Sequence, residues 1–145
     1  MKQIIKIALI LTALVTATVE AAYIKIDANG NQLPDSATSW SCVYDDVSQL
    51  LWEVKTRDSG IHNMHNRYRW GGAAEQGLEG TKYGEWDTLV NGTNSERFCG
   101  QSDWRVPSIG QLRELVVTGQ GRPTIDTDYF PNTKSWLYWS SGPYA

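Results

Sequence analysis

Residues 99–115 read CGQSDWRVPSIGQLREL, and they combine a cysteine, a tryptophan set between opposite charges and the start of a helix. Ser108 followed by Gln111 is a capping box, in which the hydroxyl accepts the backbone N–H three residues on and the glutamine side chain reaches back. The box predicts a helix that begins at Ser108 and ends near Gly119, since glycine commonly follows a last helical turn. Three- and four-residue spacing predicts one apolar face on this helix, formed by Ile109, Leu112, Leu115 and Val116.

Upstream of this run, the chain has the pattern of a hairpin. Residues 40–45 and 50–55 predict two strands, and the turn between them is 46–49. Residues 23–27 alternate in polarity like a further short strand. Residues 28–39 are rich in Asn, Gly, Pro, Asp and Ser, which is typical of a turn or linker.

The remaining elements are short. Residues 86–91 predict a helix that closes near Gly92, while 68–70 and 137–140 predict two short strands. The polar, Gly-rich segment 71–85 predicts a long loop.

The N-terminus has the features of a signal peptide. Lys2 and Lys6 precede the apolar run 7–18, and small residues then lead to Ala21, after which we predict cleavage. A retained membrane anchor is the alternative, although the run is short for a bilayer span. We therefore expect an exported protein of the periplasm, cell surface or extracellular space, with no membrane span after cleavage.

For an exported chain, the number of cysteines indicates whether a disulfide can form. Cys42 and Cys99 are the chain's two cysteines, so in an oxidising compartment they predict a disulfide, with two free thiols as the alternative.

Charge excludes one class of partner. Removing residues 1–21 takes away Lys2, Lys6 and Glu20, which leaves 11 basic and 15 acidic residues and a net charge of −4. We expect no nucleic-acid partner, because the sequence has no basic stripe to neutralise phosphates.

Four blocks in order resemble the DUF1566 family, also called the Lcl C-terminal domain after a bacterial collagen-like adhesin. They are the run opening at Cys99, the hairpin, IDTDYFPNT at 125–133 and YWSSGPYA at 138–145. In the hairpin block, Ser48-Gln49 stands where the family has Thr-Gly, so a residue other than Gly occupies a turn position where positive φ is cheap only for Gly.

The resemblance implies an α+β, C-type-lectin-like fold: a small, twisted, mostly antiparallel sheet with two helices and long loops. It also implies three parts: a signal peptide at 1–21, a strand and linker at 22–39, and the family domain at 40–145. Because further strands follow in the family, we expect this domain to be incomplete at its C-terminus.

The same resemblance implies a secreted or surface-exposed, non-catalytic binding module for glycans, sulfated polysaccharide or a host or matrix polymer. The alternatives are a structural protein-interaction domain of an envelope or adhesin assembly, and a relative of the formylglycine-generating oxidases. Guanidinium groups can bind sulfate oxygens bidentately, so the candidate ligand-binding residues are Arg57, Arg67, Arg69 and Lys82, with ordinary solvated surface as the alternative.

We expect no catalytic residues, cofactor or metal. No Ser-His-Asp set or Gly-rich phosphate loop is visible. Phe130-Pro131-Asn132 lacks the carboxylate or amide that calcium-dependent lectins place before the proline, and the loop 27–31 lacks the later bidentate Glu of a calcium loop.

Two further interpretations concern side chains that could suggest a site. His62 and His65 have no third ligand nearby in sequence, so we interpret them as solvated histidines. We interpret five tryptophans as core residues rather than sugar platforms: Trp40, Trp52, Trp70, Trp104 and Trp139.

Overall fold

The computed structural model describes residues 23–68 and 86–142. These residues form an α+β structure, as predicted, with a three-stranded antiparallel sheet in the order β1-β2-β3 and two helices. The elements are β1 Tyr23–Ile26, β2 Cys42–Asp45, β3 Leu50–Glu53, α1 Trp86–Ser95, a single 3-10 turn Phe98–Gly100 and α2 Ile109–Glu114. Within these two ranges, no helix is long and apolar enough to cross a membrane.

The predicted hairpin is confirmed. β2 and β3 pair from Cys42↔Glu53 to Asp45↔Leu50. The buried carboxylate of Asp45 closes the turn by accepting the backbone N–H groups of Val47 at 2.9 Å and Ser48 at 3.2 Å. Gln49 has φ 58°, so it occupies the left-handed conformation that glycine adopts more easily.

The central strand β2 divides the core into two clusters, because successive side chains of a strand point to opposite faces. Val43 packs on one face in a cluster with Val54, Leu115 and Phe130. Cys42 packs on the other with Ile26 and Cys99. The predicted disulfide is confirmed: Cys42 and Cys99 are bonded, and both are fully buried.

The N-terminal strand is part of the same sheet, since β1 pairs along the whole of β2. The Asp27 carboxylate stabilises the loop after β1 by accepting the backbone N–H groups of Asn29 and Asn31. Gly30, at φ +91°, then lies so close to the disulfide that a Cβ there would be 2.8 Å from the carbonyl oxygen of Cys99.

Helix α2 begins as predicted and ends earlier. Ser108 is its N-cap, and both hydrogen bonds of the capping box are present. The helix ends at Glu114 instead of continuing towards Gly119, because Val117 donates its N–H to Thr124 and the chain turns away. The predicted apolar face is therefore only partly buried: Leu115 lies in the core, whereas Ile109 is 54% exposed and Val116 49% exposed.

Helix α1 runs past its predicted end. Gly92 lies inside the helix, where a Cβ would be 2.7 Å from Cδ1 of Ile61. This glycine is thus a point of close approach to the loop 56–66, and the helix continues to Ser95.

The predicted strand at 137–140 is wrong, because these residues have no ladder partner within the described ranges. Trp139 is exposed, contrary to its interpretation as a core residue, and its indole donates to the carbonyl of Tyr68.

Trp40, Trp52 and Trp104 pack partly buried against the two clusters, as expected. Tyr68 is not in a strand, and Arg69, Trp70 and the predicted loop 71–85 lie outside the described residues.

Removing the disulfide should cost about 4 kcal/mol of unfolding free energy, since the bond closes a loop with a sequence separation of 57. We expect this loss for the double variant Cys42→Ala/Cys99→Ala in urea denaturation, and a similar loss for the reduced wild-type protein. A loss under about 1 kcal/mol would contradict the loop-closure account.

Gly30→Ala should lower the unfolding free energy by about 2 kcal/mol, because it places a side chain at positive φ and against a backbone oxygen. Gly121→Ala is the matched control, since a Cβ there meets no atom within 4 Å. Thermal denaturation of both variants tests the prediction, and equal melting temperatures would show that the approach at Gly30 is unimportant.

Candidate functional site

A groove of about 310 Å³ lies where the end of β3 meets the segment after Phe130. Its walls mix apolar surface, hydroxyls, an amide and two cations. The lining residues are Thr38, Ser39, Trp40, Val54, Lys55, Thr56, Arg57, Pro131 and Asn132.

Asn132 orients the arginine of this groove. Its Oδ1 accepts from Nε of Arg57 at 2.9 Å, and its Nδ2 donates to the backbone carbonyl of Lys55 at 2.7 Å. The two terminal nitrogens of Arg57 make no hydrogen bond within residues 23–68 and 86–142. They form the edge of a guanidinium that can bind an oxyanion in a bidentate way.

Trp40 is held in place by contacts at both its ring and its nitrogen. Its Nε1 donates to the carbonyl of Tyr129 at 2.8 Å. Lys25 lies with Nζ 4.0 Å from the centroid of the indole ring, and the same Nζ donates to the carbonyls of Asp35 and Ala37. The groove therefore has an aromatic wall of fixed orientation.

Behind the groove, a chain of charged groups connects β3 with the end of α1. Lys55 Nζ lies 2.7 Å from one carboxylate oxygen of Glu53 and 2.8 Å from the other. His62 Nδ1 lies 2.7 Å from the carboxylate of Glu53, and its Nε2 lies 3.0 Å from that of Glu96. The imidazole also stacks on Phe98, with 4.0 Å between ring centroids.

This arrangement corrects the interpretation of His62 as a solvated histidine. The residue is only 7% exposed and bridges two carboxylates. Its partners are 9 and 34 residues away in sequence, so local spacing could not show them. His65 is exposed, as expected, with Nδ1 2.7 Å from Nζ of Lys134.

The pKa of His62 reflects opposing effects. Burial of the ring lowers the pKa, but the hydrogen bonds and charges of Glu53 and Glu96 outweigh it, so the pKa lies above its ordinary 6.5. For Glu53, burial raises the pKa, and the contacts with His62 and Lys55 outweigh that effect and lower it. The charged forms of both side chains are therefore favoured in the folded protein.

The structure does not gather the four candidate ligand-binding residues into one site. Arg57 lines the groove, whereas Arg67 lies elsewhere, with its guanidinium carbon 5.0 Å from the ring centroid of Trp136. Arg69 and Lys82 lie outside the described residues. Sequence reasoning missed Lys55 and Asn132 as members of the groove, although both stand in blocks that resemble the family.

In the part of the chain that the structure describes, no group of three or more His, Cys, Asp or Glu residues is arranged to hold a metal ion.

The raised pKa of His62 predicts a pH-dependent contribution to stability. The folded protein binds the proton more tightly than the unfolded chain, so the contribution is full below about pH 6.5 and is lost as pH rises through the folded pKa. We expect the difference in unfolding free energy between wild type and His62→Gln to be largest at acidic pH and to shrink towards pH 9. Urea titrations measure it, and a difference independent of pH would contradict the assignment.

Comparison with known proteins gives one match. The family model for the Lcl C-terminal domain matches residues 41–145, more than two thirds of the chain. No curated protein and no solved structure matches it. Because the match spans the hairpin, both helices and the groove-lining segment at Pro131–Asn132, the chain belongs to the Lcl C-terminal domain family.

Proposed function

We propose that the chain is an exported, non-catalytic binding module of C-type-lectin-like fold that holds an acidic glycan, such as a sulfated polysaccharide, in the groove. The observation that carries the proposal is the Arg57 guanidinium, held at Nε by Asn132 and open at its terminal nitrogens within the described residues. A cation oriented before binding loses less side-chain freedom when the ligand arrives.

The other lining residues suit a sugar. Thr38 and Ser39 bring hydroxyls that can donate to or accept from sugar hydroxyls. The hydroxyl of Thr56 can accept, since its O–H donates to Asp58, and Trp40 brings a fixed aromatic wall. The groove volume lies at the small end of the range of about 300–1,000 Å³ for ligand sites. A short stretch of a glycan chain fits this size, with the rest of the polymer outside.

The state of the cysteines supports the non-catalytic part of the proposal. Formylglycine-generating enzymes use a reactive cysteine pair, whereas Cys42 and Cys99 are joined to each other and fully buried. A bond without solvent access suits a structural role.

A protein partner is the second candidate, and one observation favours it. Trp136 is 67% exposed, and Leu137, the next residue, is 91% exposed. Exposed apolar side chains in a row are typical of protein contact surfaces. Trp136→Ser/Leu137→Ser would weaken such a contact and leave binding in the groove unchanged.

Arg57→Ala should weaken binding to a size-defined heparin oligosaccharide by about tenfold or more, since a hydrogen bond to a charged group contributes about 1.5–3 kcal/mol. Asn132→Ala should weaken it less, because the cation remains and only its orientation is lost. Titration calorimetry at fixed ionic strength measures both, after a glycan array has identified the preferred chain.

Arg113→Ala is the matched control, because Arg113 is an exposed arginine on α2, outside the groove. It should bind like wild type. Equal losses for Arg57→Ala and Arg113→Ala would mean attraction to the whole surface, and no loss for Arg57→Ala would remove the groove from the proposal.

A further inference from the structure

We propose that the proton on His62 regulates anion binding in the groove. The charged ring holds the loop 56–66 in place and leaves the positive charge of Lys55 available to an anion. Loss of the proton reverses both effects. The clasp is the contact set Glu53–His62–Glu96. Its effect on binding rests on the proposed function, whereas its effect on the loop does not.

The clasp works because its two carboxylates lie on different elements. Glu53 ends β3, and Glu96 follows the last turn of α1. A protonated imidazole donates from both ring nitrogens and so satisfies both carboxylates at once. A neutral imidazole has one N–H, so one of the two carboxylates then faces a lone pair, and one contact becomes repulsive.

The loop that carries His62 also carries the arginine of the groove. The backbone carbonyl of His62 accepts the N–H of Thr56 at 2.9 Å, and Met64 donates back to Thr56 at 2.9 Å. Arg57 therefore follows directly from a residue that the clasp anchors. Ile61 of the same loop packs on Gly92 of α1, next to the contact with Glu96.

The second effect is a change in charge beside the groove. Glu53 is shared: one of its oxygens contacts both Lys55 and His62. With the ring protonated, the two cations balance Glu53 and Glu96. When the ring loses its proton the group of four carries one net negative charge, and Lys55 is then the main counter-charge of Glu53. An anion in the groove that Lys55 lines meets a less favourable field.

Other ionisable groups face this cluster. Asp58 interacts electrostatically with His62, and its carboxylate accepts from Thr56 and Gly60. The phenols of Tyr68 and Tyr138 lie within reach of the Glu53 charge. Hydrogen bonds lower the pKa of the Asp58 carboxyl and burial raises the pKa of both phenols, so these groups titrate further from neutral pH than they ordinarily do. Imidazole is the side chain of this set whose ordinary pKa lies nearest to neutral pH.

The experiment measures affinity for a heparin tetrasaccharide at constant ionic strength from pH 5.5 to 8.5, together with the His62 ring titration by NMR. The sulfates and carboxylates of the probe stay ionised over this range, so a change arises in the protein. We expect affinity to fall severalfold with a midpoint at the His62 titration. Glu96→Gln should move both midpoints to lower pH, because one carboxylate that favours the charged ring is gone.

Three variants serve as references. Glu114→Gln is the matched control for Glu96→Gln, an exposed carboxylate on α2 outside the clasp, and should leave both midpoints unchanged. His65→Gln should keep the pH response, since His65 does not contact Glu53 or Glu96. His62→Gln should abolish the response; because its side chain is buried, the exposed Glu96 variant keeps the test decisive if His62→Gln does not fold.

The outcomes separate the two proposals. Regulation is overturned, and glycan binding is left intact, if the protein binds but Glu96→Gln does not move the midpoint of the pH response. The same holds if His65→Gln abolishes the pH response. Absence of binding at every pH overturns the proposed function. In that case hydrogen exchange still tests the clasp: protection of the Thr56 and Met64 amides should fall at least tenfold above the His62 titration, and protection that stays constant refutes it.

Discussion

The covalent bond between Cys42 and Cys99 is the constraint on which the rest of the structure depends. It joins the central strand of the sheet to the 3-10 turn between the helices. Arg97 and Cys99 both have left-handed backbone angles, a conformation that costs about 1–2 kcal/mol for residues other than glycine. The tertiary contacts that hold this turn therefore have to outweigh its local cost.

Several neighbours support the same turn. The Trp104 indole donates to the carbonyl of Phe98, and the side-chain amide of Asn94 exchanges hydrogen bonds with the backbone of Trp104. Gly30 closes the other side, where the loop after β1 approaches Cys99. The sheet, the end of α1 and the chain entering α2 thus meet around one disulfide, and this gives a domain with two small clusters a defined shape.

From this framework two polar systems extend to the groove. The uncharged side chain of Asn132 orients Arg57 by one hydrogen bond and is itself fixed by a second, to the backbone carbonyl of Lys55. Lys55, Glu53, His62 and Glu96 instead form a series of alternating charges. The Asn132 hydrogen bond sets the orientation of Arg57, and the charged series sets the electric field beside the groove. Burial makes the charged series sensitive to one proton, because a partly dry site screens a charge less than water does.

The sequence by itself determined the local elements: the hairpin, the capping box at Ser108, the disulfide and the family. Each follows from residues close in sequence or from a count of two cysteines. Only the tertiary structure decided that Gly92 is a packing position rather than a helix stop, that His62 is buried, and that Arg57 joins Trp40 and Asn132 in one groove while Arg67 lies elsewhere. The physical reason is distance along the chain. Contacts within two sets of residues form only in the packed structure: Glu53 with His62 and Glu96, and Arg57 with Asn132. Sequence periodicity reflects only neighbours within one helix or strand, so it could not predict these contacts.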